Sequence, residues 1–274
     1  MKLHYFPTPA ATNTLSTGQL RDTFLIGGLF QAGAVTAHYT DLDRMIVGAA
    51  VPTTAPLGLP TDRELGTSFF LERREIGILN LGAPGTVRTG SASYDLGPLD
   101  CLYIGLGEKD VAFANGPAGQ AQFYFISTPA HAKYPSAVVR RADGRTDPIG
   151  DPARANRRRI NKLIHPDGVK SCQLVMGFTE FEPGSVWNTM PPHTHSRRTE
   201  IYLYFDVADN VVFHFMGEPG ATRHLVVRDR EAVLSPAWSI HCGAGTGAYR
   251  FVWAMGGDNQ VFSDMDAVPI AELR

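Results

Sequence analysis

The spacing of short apolar runs restricts the fold of this chain more than any other feature of its sequence. Between Arg44 and Ile126 such runs recur about every eight to twelve residues, and turns rich in glycine and proline separate them. Similar runs return between Ile160 and Met255. The 28 glycines and 19 prolines suit many turns and few long helices. Short strands spaced in this way predict an all-β sandwich or barrel with a few short helices.

The length of the chain and one polar stretch predict its domains. At 274 residues it is long enough for one large domain or two small ones. Residues 140–152 are polar and turn-rich, and we interpret them as a linker between two series of strands. We therefore expect domains over residues 1–145 and 146–274. Residues 1–15 read as irregular, and Ser16-Thr-Gly-Gln19 resembles a capping box that starts a short helix.

A weak internal repeat relates the two predicted domains. The segment around Glu75 aligns with the segment around Glu200, and the segment that ends at Asp110 aligns with the one that ends at His241. The first half has no histidine where the second half has three. The repeat therefore predicts an N-terminal domain without metal ligands and a C-terminal domain that keeps them.

The second half carries a cluster of potential metal ligands. His193 and His195 lie two residues apart, so on an extended backbone their imidazoles point to the same side. Glu200 follows at an odd offset, and the polar segment 196–199 can absorb the extra residue as a bulge or turn that aims the carboxylate inward. His241 follows five residues after Pro236, where a neighbouring strand would return. Nitrogen ligands with one carboxylate suit zinc, iron, manganese or nickel.

Charge and hydropathy exclude other classes of function. The formal net charge of −2 offers no field for nucleic acid or for an anionic membrane. No apolar stretch is long enough to span a bilayer, and the N-terminus lacks the apolar run of a signal peptide. The three cysteines are far apart and do not support a disulfide framework. We therefore expect a cytoplasmic protein.

The metal motif and several longer strings resemble known families. The pattern from His193 to Glu200, followed by Pro236-x4-His241, resembles the paired motifs of cupins, whose small β-barrels hold a metal on three histidines and one glutamate. Two such jelly-roll-like halves make a bicupin. From about Leu15 to Arg274 the chain resembles the 5-keto-4-deoxyuronate isomerase family, also called 4-deoxy-L-threo-5-hexosulose-uronate ketol-isomerases. The strings that carry this resemblance are Ser68–Glu75, Asn156–Lys162, Trp187–His195, Trp238–His241 and Asp258–Phe262.

The resemblance implies a metal-dependent ketol-isomerase of pectin and uronate catabolism. Its reaction converts 5-keto-4-deoxyuronate to 3-deoxy-D-glycero-2,5-hexodiulosonate, so the expected partner is a sugar-acid substrate. The resemblance also implies a homo-hexamer and one zinc ion per chain, with iron, manganese and nickel as open alternatives. The implied metal ligands are His193, His195, Glu200 and His241.

Proton transfer and substrate binding have their own candidates. Tyr202 shares the face of Glu200 through strand alternation and is the first candidate for handling a proton. Lys162 is the second catalytic candidate. Lys162 and the arginines 157–159 are candidates for binding the substrate carboxylate, with Arg159 singled out, because arginine offers a bidentate fork. The general base stays open between a carboxylate, a neutral histidine, a tyrosinate and a metal-bound hydroxide.

Three other functions stay open from the sequence. The 5-deoxy-glucuronate isomerase of inositol catabolism shares the fold and the chemistry. An Fe(II) cupin oxygenase would use the same four ligands and bind oxygen at the open position. A non-catalytic cupin that binds sugar acids is the third, although a complete set of four ligands exceeds what binding alone needs.

Overall fold

The computed structural model describes residues 1–274 and consists mainly of β-strands. Two α-helices, α1 (Pro9–Thr12) and α2 (Thr17–Phe24), lie near the N-terminus. Neither helix has the length and apolarity needed to cross a membrane. The first half of the chain forms the strands β1 Lys2–His4, β2 Leu25–Ile26, β3 Ala34–Thr40, β4 Ile46–Val51, β5 Leu57–Gly58, β6 Arg74–Asn80, β7 Gly85–Arg88, β8 Ser93–Leu96, β9 Cys101–Ile104, β10 Ala112–Asn115, β11 Phe123–Pro129 and β12 Ala137–Val139.

The second half also consists mainly of short strands. Short 3₁₀ helices lie in both halves of the chain, at Arg63–Leu65, Arg141–Asp143, Pro152–Arg154 and Ile270–Glu272. The strands of this half are β13 Arg145–Ile149, β14 Arg158–Ile164, β15 Val175–Phe181, β16 Trp187–Asn188, β17 His193–Thr194, β18 Arg198–Phe205, β19 Val212–Met216, β20 Arg223–Val227, β21 Ala232–Ser235, β22 Cys242–Gly245, β23 Arg250–Gly257 and β24 Asp266–Ala267.

The chain divides into two units that are not contiguous in sequence. The first unit comprises residues 1–4, 29–144 and 163–175, and the second comprises residues 5–28, 145–162 and 176–274. One crossing point, between residues 144 and 145, lies next to the expected boundary. The expected contiguous division differs from this partition because the N-terminal segment with α2 belongs to the second unit and residues 163–175 belong to the first.

The two units share one sheet topology. The first unit has a seven-stranded sheet, β1-β3-β4-β11-β6-β9-β12, and a four-stranded sheet, β5-β10-β7-β8. The second unit has β13-β14-β15-β23-β18-β21-β2 and β16-β22-β19-β20, with β17 and β24 as a separate pair. Neither unit closes into a continuous barrel. The five central strands of the larger sheets and all strands of the smaller sheets follow the same order, which supports the internal repeat. The edge strands differ, because β1 pairs parallel with β3, β13 pairs antiparallel with β14, and β2 comes from the N-terminal segment. The predicted all-β fold is confirmed.

The interior of the first unit is filled with apolar side chains. Its core draws on both sheets and includes Ile78 from β6, Phe113 from β10 and Phe125 from β11. Phe70 belongs to the same core and lies five residues before Glu75, as His195 lies five residues before Glu200. The first unit therefore packs a phenyl ring at a position where the second unit has a potential ligand.

Corresponding strands of the two units each bring a glycine close to an aromatic ring. A Cβ atom at Gly48 on β4 would lie 2.3 Å from the Phe125 ring, and one at Gly177 on β15 would lie 2.3 Å from the Trp253 ring. Glycine is required at both positions because the ring of the neighbouring strand occupies the space of a side chain. The shared contact is a second sign of the repeat, and it fixes the Trp253 ring in the second unit.

Local predictions succeed where the pattern has a local cause. The capping box is present, since the Gln19 amide donates to Ser16 Oγ at 3.3 Å and the Ser16 amide donates to Gln19 Oε1 at 2.9 Å. The linker interpretation of residues 140–152 is wrong in part, because β13 lies within it and pairs antiparallel with β14. This strand is at the edge of its sheet, and its polar residues hide it from a hydropathy pattern.

Candidate metal centre

The H-x-H segment and the strand after it are joined by a tight turn. β17 carries His193, and the Arg198 amide donates to the His195 carbonyl at 2.9 Å, which closes a turn at residues 196 and 197. β18 then begins at Arg198, so that Glu200 faces the same interior as the two histidines. The predicted turn is therefore present. His241 lies immediately before β22, one strand of the facing sheet.

Four donor atoms of these side chains converge in the second unit. His193 Nε2 lies 3.2 Å from His195 Nε2 and 2.9 Å from His241 Nε2. Glu200 Oε2 lies 3.0 Å from both His195 Nε2 and His241 Nε2. All four donor atoms lie within 4.8 Å of one another, and all four residues are buried. The sequence-predicted set of ligands is thus brought together by two strands and two loops.

The spacing of these atoms fits a metal ion. With metal–ligand bonds of about 2.0–2.2 Å, adjacent donors lie roughly 2.8–3.1 Å apart in octahedral and 3.3–3.6 Å apart in tetrahedral coordination. The separations of 2.9–3.2 Å between neighbouring donor atoms are of this size. The cluster could therefore hold a divalent metal ion.

The partners of the outer nitrogens orient two of the imidazoles. His195 Nδ1 lies 3.0 Å from the carbonyl oxygen of Asp264, which can only accept a hydrogen bond. Nδ1 therefore carries the proton and Nε2 directs a lone pair into the cluster. Arg198 Nη2 lies 3.2 Å from the same Nδ1, but it donates to the Asp264 carbonyl. His241 Nδ1 lies 3.3 Å from Ser235 Oγ.

Burial and neighbouring charges set the protonation of the cluster. Burial, reinforced by His241, lowers the pKa of His193 to about 2, so this imidazole is neutral as a metal ligand must be. Burial alone would raise the pKa of Glu200, but positive charge at His241 and the close contacts with the two histidines outweigh it and hold this pKa well below its ordinary value. The cluster therefore offers a neutral imidazole at His193 and an ionised carboxylate at Glu200.

A cavity of about 320 Å³ is lined by three of the four residues, His193, His195 and Glu200. Aromatic and aliphatic side chains share its wall with polar and charged groups. Its lining comprises Asp147, Ile149, Arg158, Ile160, Lys162, Thr179, Asn188, Thr189, His193, His195, Glu200, Tyr202, Phe251, Trp253, Met255, Phe262 and Met265.

Tyr202 and Lys162 both line this cavity. Burial, followed by the negative charge of Glu200, raises the pKa of Tyr202 well above its ordinary value, so the phenol is protonated. Lys162 Nζ pairs with Asp147 at 2.9 Å and lies 4.3 Å from the centre of the Phe262 ring. The cavity thus contains the two predicted catalytic candidates, and their roles stay predictions.

Arg159 lies outside the cavity, contrary to its expected role in binding substrate. Its side chain is 56% exposed and pairs with Glu182 at 3.8 Å. The reason is strand alternation, because Arg158, Ile160 and Lys162 on β14 face the cavity and Arg159 faces away. Arg158 lines the cavity instead, with Nη1 donating to the Asn156 carbonyl at 2.7 Å.

The sequence interpretation missed several groups around the site. Asp147 lies on the edge strand β13, and Asp264 lies in a C-terminal segment that carries no ligand pattern. Arg198 is fully buried, and only its alternation with Glu200 and Tyr202 could have signalled that it faces inward. His214 is buried, and its Nδ1 lies 2.7 Å from the Tyr204 hydroxyl.

Comparison with known proteins supplies relatives over the whole chain. A model described as the KduI/IolB family matches residues 30–269. A protein from Opitutus terrae named 4-deoxy-L-threo-5-hexosulose-uronate ketol-isomerase is 70% identical over 275 aligned residues, which cover 100% of each chain. A protein of the same name from Cereibacter sphaeroides is 49% identical and covers 100% of this chain and 99% of its own.

One solved structure has a similar fold to this chain. The crystal structure of an IolB-like protein from Salmonella typhimurium has a TM-score of 0.73 at 12% identity, over 90% of this chain and 97% of that chain. At this identity the likeness concerns the fold alone. The family match and the two full-length relatives carry the classification, and they confirm the resemblance found in the sequence. The chain belongs to the KduI/IolB family.

Proposed function

We propose that this protein is a metal-dependent ketol-isomerase that converts 4-deoxy-L-threo-5-hexosulose-uronate to 3-deoxy-D-glycero-2,5-hexodiulosonate in the breakdown of pectin and other uronates. The substrate is the one in the names of the full-length relatives. The observation that carries the proposal is the convergence of three imidazole nitrogens and one carboxylate oxygen; two of these histidines, His193 and His195, and Glu200 also line a cavity of about 320 Å³.

The reaction transfers a proton between two adjacent carbons of the substrate. A base removes the proton next to the aldehyde, negative charge develops on oxygen in an enediolate, and the proton returns to the neighbouring carbon. A divalent ion on His193, His195, Glu200 and His241 would stabilise that charge as a Lewis acid. Tyr202 lines the cavity beside Glu200, where its hydroxyl can donate a proton to a substrate oxygen.

The cavity wall keeps water away from the reacting carbons. Phe251, Trp253 and Met255 on β23 and Phe262 beyond it present an apolar surface beside the four ligands. An enediolate in such surroundings meets few water molecules that could protonate it at the wrong atom. The apolar wall and the cationic side chains of Arg158 and Lys162 suit a small sugar acid.

Arg158 is the better candidate for binding the substrate carboxylate. Its guanidinium donates to a backbone carbonyl, whereas the Lys162 ammonium is already paired with Asp147. An arginine fork binds a carboxylate through two parallel hydrogen bonds. Asp147 would repel the carboxylate but can accept a hydrogen bond from a substrate hydroxyl, so the pair with Lys162 would orient the substrate.

Zinc, a homo-hexamer and a cytoplasmic location complete the proposal. Three imidazoles and one carboxylate suit zinc, with iron, manganese and nickel as alternatives. The three cysteines are free, which suits a reducing compartment. Light scattering on the purified protein tests the assembly, and a mass other than six chains would contradict it.

The test of the function is turnover of the substrate by metal-depleted and reconstituted protein. We expect isomerisation, followed by NMR spectroscopy of the product, to disappear on treatment with a chelator and to return with one added divalent metal. The Glu200→Gln variant should stay inactive after the same addition. Full activity of the metal-depleted protein would contradict the proposal.

The same assay separates the competing functions. An Fe(II) oxygenase would consume oxygen and leave the deoxy-keto-uronate unchanged. A 5-deoxy-glucuronate isomerase would turn over 5-deoxy-glucuronate faster than the substrate in the names of the relatives. A binding protein would retain the sugar acid without converting it.

A further inference from the structure

We propose that a C-terminal strap, residues 258–268, is a positioning element that holds the His193–His195 segment in its metal-binding orientation, and that Arg197 and Asp264 fasten it. This inference rests on the proposed metal site. It concerns residues outside the set of ligands.

The strap is hydrogen-bonded to the ligand segment and its flanking residues at both ends. The Asp258 amide donates to the Arg197 carbonyl at 2.9 Å, and the Val268 amide donates to the Pro192 carbonyl at 3.0 Å. Between these ends β24 pairs antiparallel with β17, with Ala267 opposite His193. The ligand segment therefore has a hydrogen-bonded neighbour on one side that is not part of either large sheet of the second unit.

The middle of the strap contacts a ligand directly. His195 Nδ1 donates to the carbonyl oxygen of Asp264 at 3.0 Å, and Arg198 Nη2 donates to the same oxygen. A carbonyl at this position selects the tautomer that directs His195 Nε2 toward the other ligands. The strap also supplies Phe262 and Met265 to the cavity wall. One segment therefore contacts a ligand and lines the cavity.

A cluster of ion pairs that includes the Asp264 carboxylate fastens the strap. Arg197 Nε lies 2.9 Å from both carboxylate oxygens of Asp264, and Arg197 Nη2 lies 2.9 Å from Asp266 Oδ1. Asn259 Nδ2 donates to the Asp264 carboxylate at 2.6 Å. Asp264 thus uses its side chain to hold Arg197 and its main chain to hold His195. Loss of the side-chain contacts frees the carbonyl to move away from the imidazole.

The test compares zinc affinity in four variants of the full-length protein. Arg197→Ala, Asp264→Ala and the double variant should each bind Zn²⁺ roughly 10- to 100-fold more weakly in a chelator competition, the usual loss when the partner of a ligating histidine is removed. The double variant should be no weaker than the single ones, because both changes release the same carbonyl.

The fourth variant, Arg140→Ala, is the matched control. The Arg140–Asp100 pair is 2.8 Å long with side chains 48% and 11% exposed, close to the 40% and 19% of the Arg197–Asp264 pair. It lies in the first unit, so its loss should leave zinc affinity at the wild-type value. Arg198 is unsuitable for the test because its removal would leave a hole in the core.

Amide hydrogen exchange distinguishes a strap that positions the ligands from one that only stabilises the fold. Because coupling is reciprocal, zinc should slow exchange in peptides from residues 258–268 of the wild type, and this protection should be lost in Asp264→Ala. Zinc affinity equal to wild type in all three strap variants would overturn the inference while leaving the metal site intact. A wild-type protein that binds no divalent metal would overturn both.

Discussion

At the scale of single residues, orientation decides which side chains can take part in chemistry. Arg158 and Arg159 are neighbours with the same side chain, yet one lines the cavity and the other lies 56% exposed beside Glu182. The orientation of the His195 ring depends on the Asp264 carbonyl oxygen, which accepts a hydrogen bond from His195 Nδ1. A residue type at a given position is therefore informative only together with the face on which it lies.

The two arginines form a matched pair for testing substrate binding. We expect Arg158→Ala to raise KM roughly 10- to 100-fold, the loss expected for a charge-assisted hydrogen bond of about 1.5–3 kcal/mol. Arg159→Ala should leave KM near the wild-type value, because its pair with Glu182 is exposed. Steady-state kinetics of both variants measure the difference. Equal effects would contradict the assignment of Arg158.

A buried histidine pair in the first unit makes stability depend on pH. His38 is 9% exposed and lies 2.8 Å from His4, and burial, followed by the charges of His4, Lys2 and the N-terminus, lowers the pKa of His38 to about 4. The folded state therefore favours the neutral form. The contribution of His38 is fully present above about pH 6.5, falls as the pH drops, and has vanished by about pH 4.

The substitution His38→Gln tests this dependence. Between pH 6.5 and 4 the metal-free wild type should lose about 3 kcal/mol more unfolding free energy than the variant, because glutamine does not titrate. Chemical denaturation at several pH values measures the two slopes. Parallel slopes would show that His38 titrates normally in the folded protein.

At the scale of elements, close contacts between strands shape the cavity. Gly177 on β15 lets the Trp253 ring of β23 lie against its backbone, and this ring lines the cavity. A methyl group there would also meet the Asn161 carbonyl oxygen at 2.3 Å, and a backbone atom cannot move aside as a side chain can. The position of the cavity wall thus depends on a residue that is not part of it.

The change Gly177→Ala tests this contact. We expect a loss of about 1–3 kcal/mol of unfolding free energy from overpacking, together with a change in Trp253 fluorescence. Gly18→Ala is the control, because a Cβ atom there has no neighbour within 4 Å and alanine favours helix α2. Chemical denaturation should show this control as stable as the wild type or more so.

Elements with a local cause were predictable from the sequence, and those with a distant cause were not. The turn before Glu200 followed from an odd spacing, and α2 followed from Ser16 and Gln19. β13 was hidden because an edge strand tolerates polar residues on both faces. The strap has no pattern of its own, because its structure comes from contacts with Arg197 and Arg198, far away in the sequence.

At the scale of the whole molecule, the two units place corresponding glutamates in different surroundings. In the first unit Glu75 corresponds to Glu200, but it is fully buried among hydrogen-bond donors of the protein itself. Tyr103 donates to it at 2.7 Å and Thr128 at 3.1 Å. The backbone amides of Cys172, Gln173 and Leu174 donate to it at 2.7, 2.7 and 2.8 Å. A carboxylate that could ligate a metal in one unit is a structural acceptor in the other.

The substitution Glu75→Gln tests that separation of roles. Its amide group would face donors, so we expect a loss of about 2–3 kcal/mol of unfolding free energy. Metal content should stay unchanged, because the cluster of four ligands lies in the second unit. The exposed Glu64→Gln change serves as a control and should stay within about 0.5 kcal/mol of the wild type. Loss of metal together with stability would contradict the division of roles.

The most direct test of the central claim is the metal content of the purified protein, measured by elemental mass spectrometry. The convergence of His193, His195, Glu200 and His241 predicts about one divalent ion per chain in the wild type, since one four-residue cluster is present. The His195→Ala variant, which keeps three ligands, should retain far less. Metal-free wild-type protein that isomerises the substrate at full rate would contradict the account.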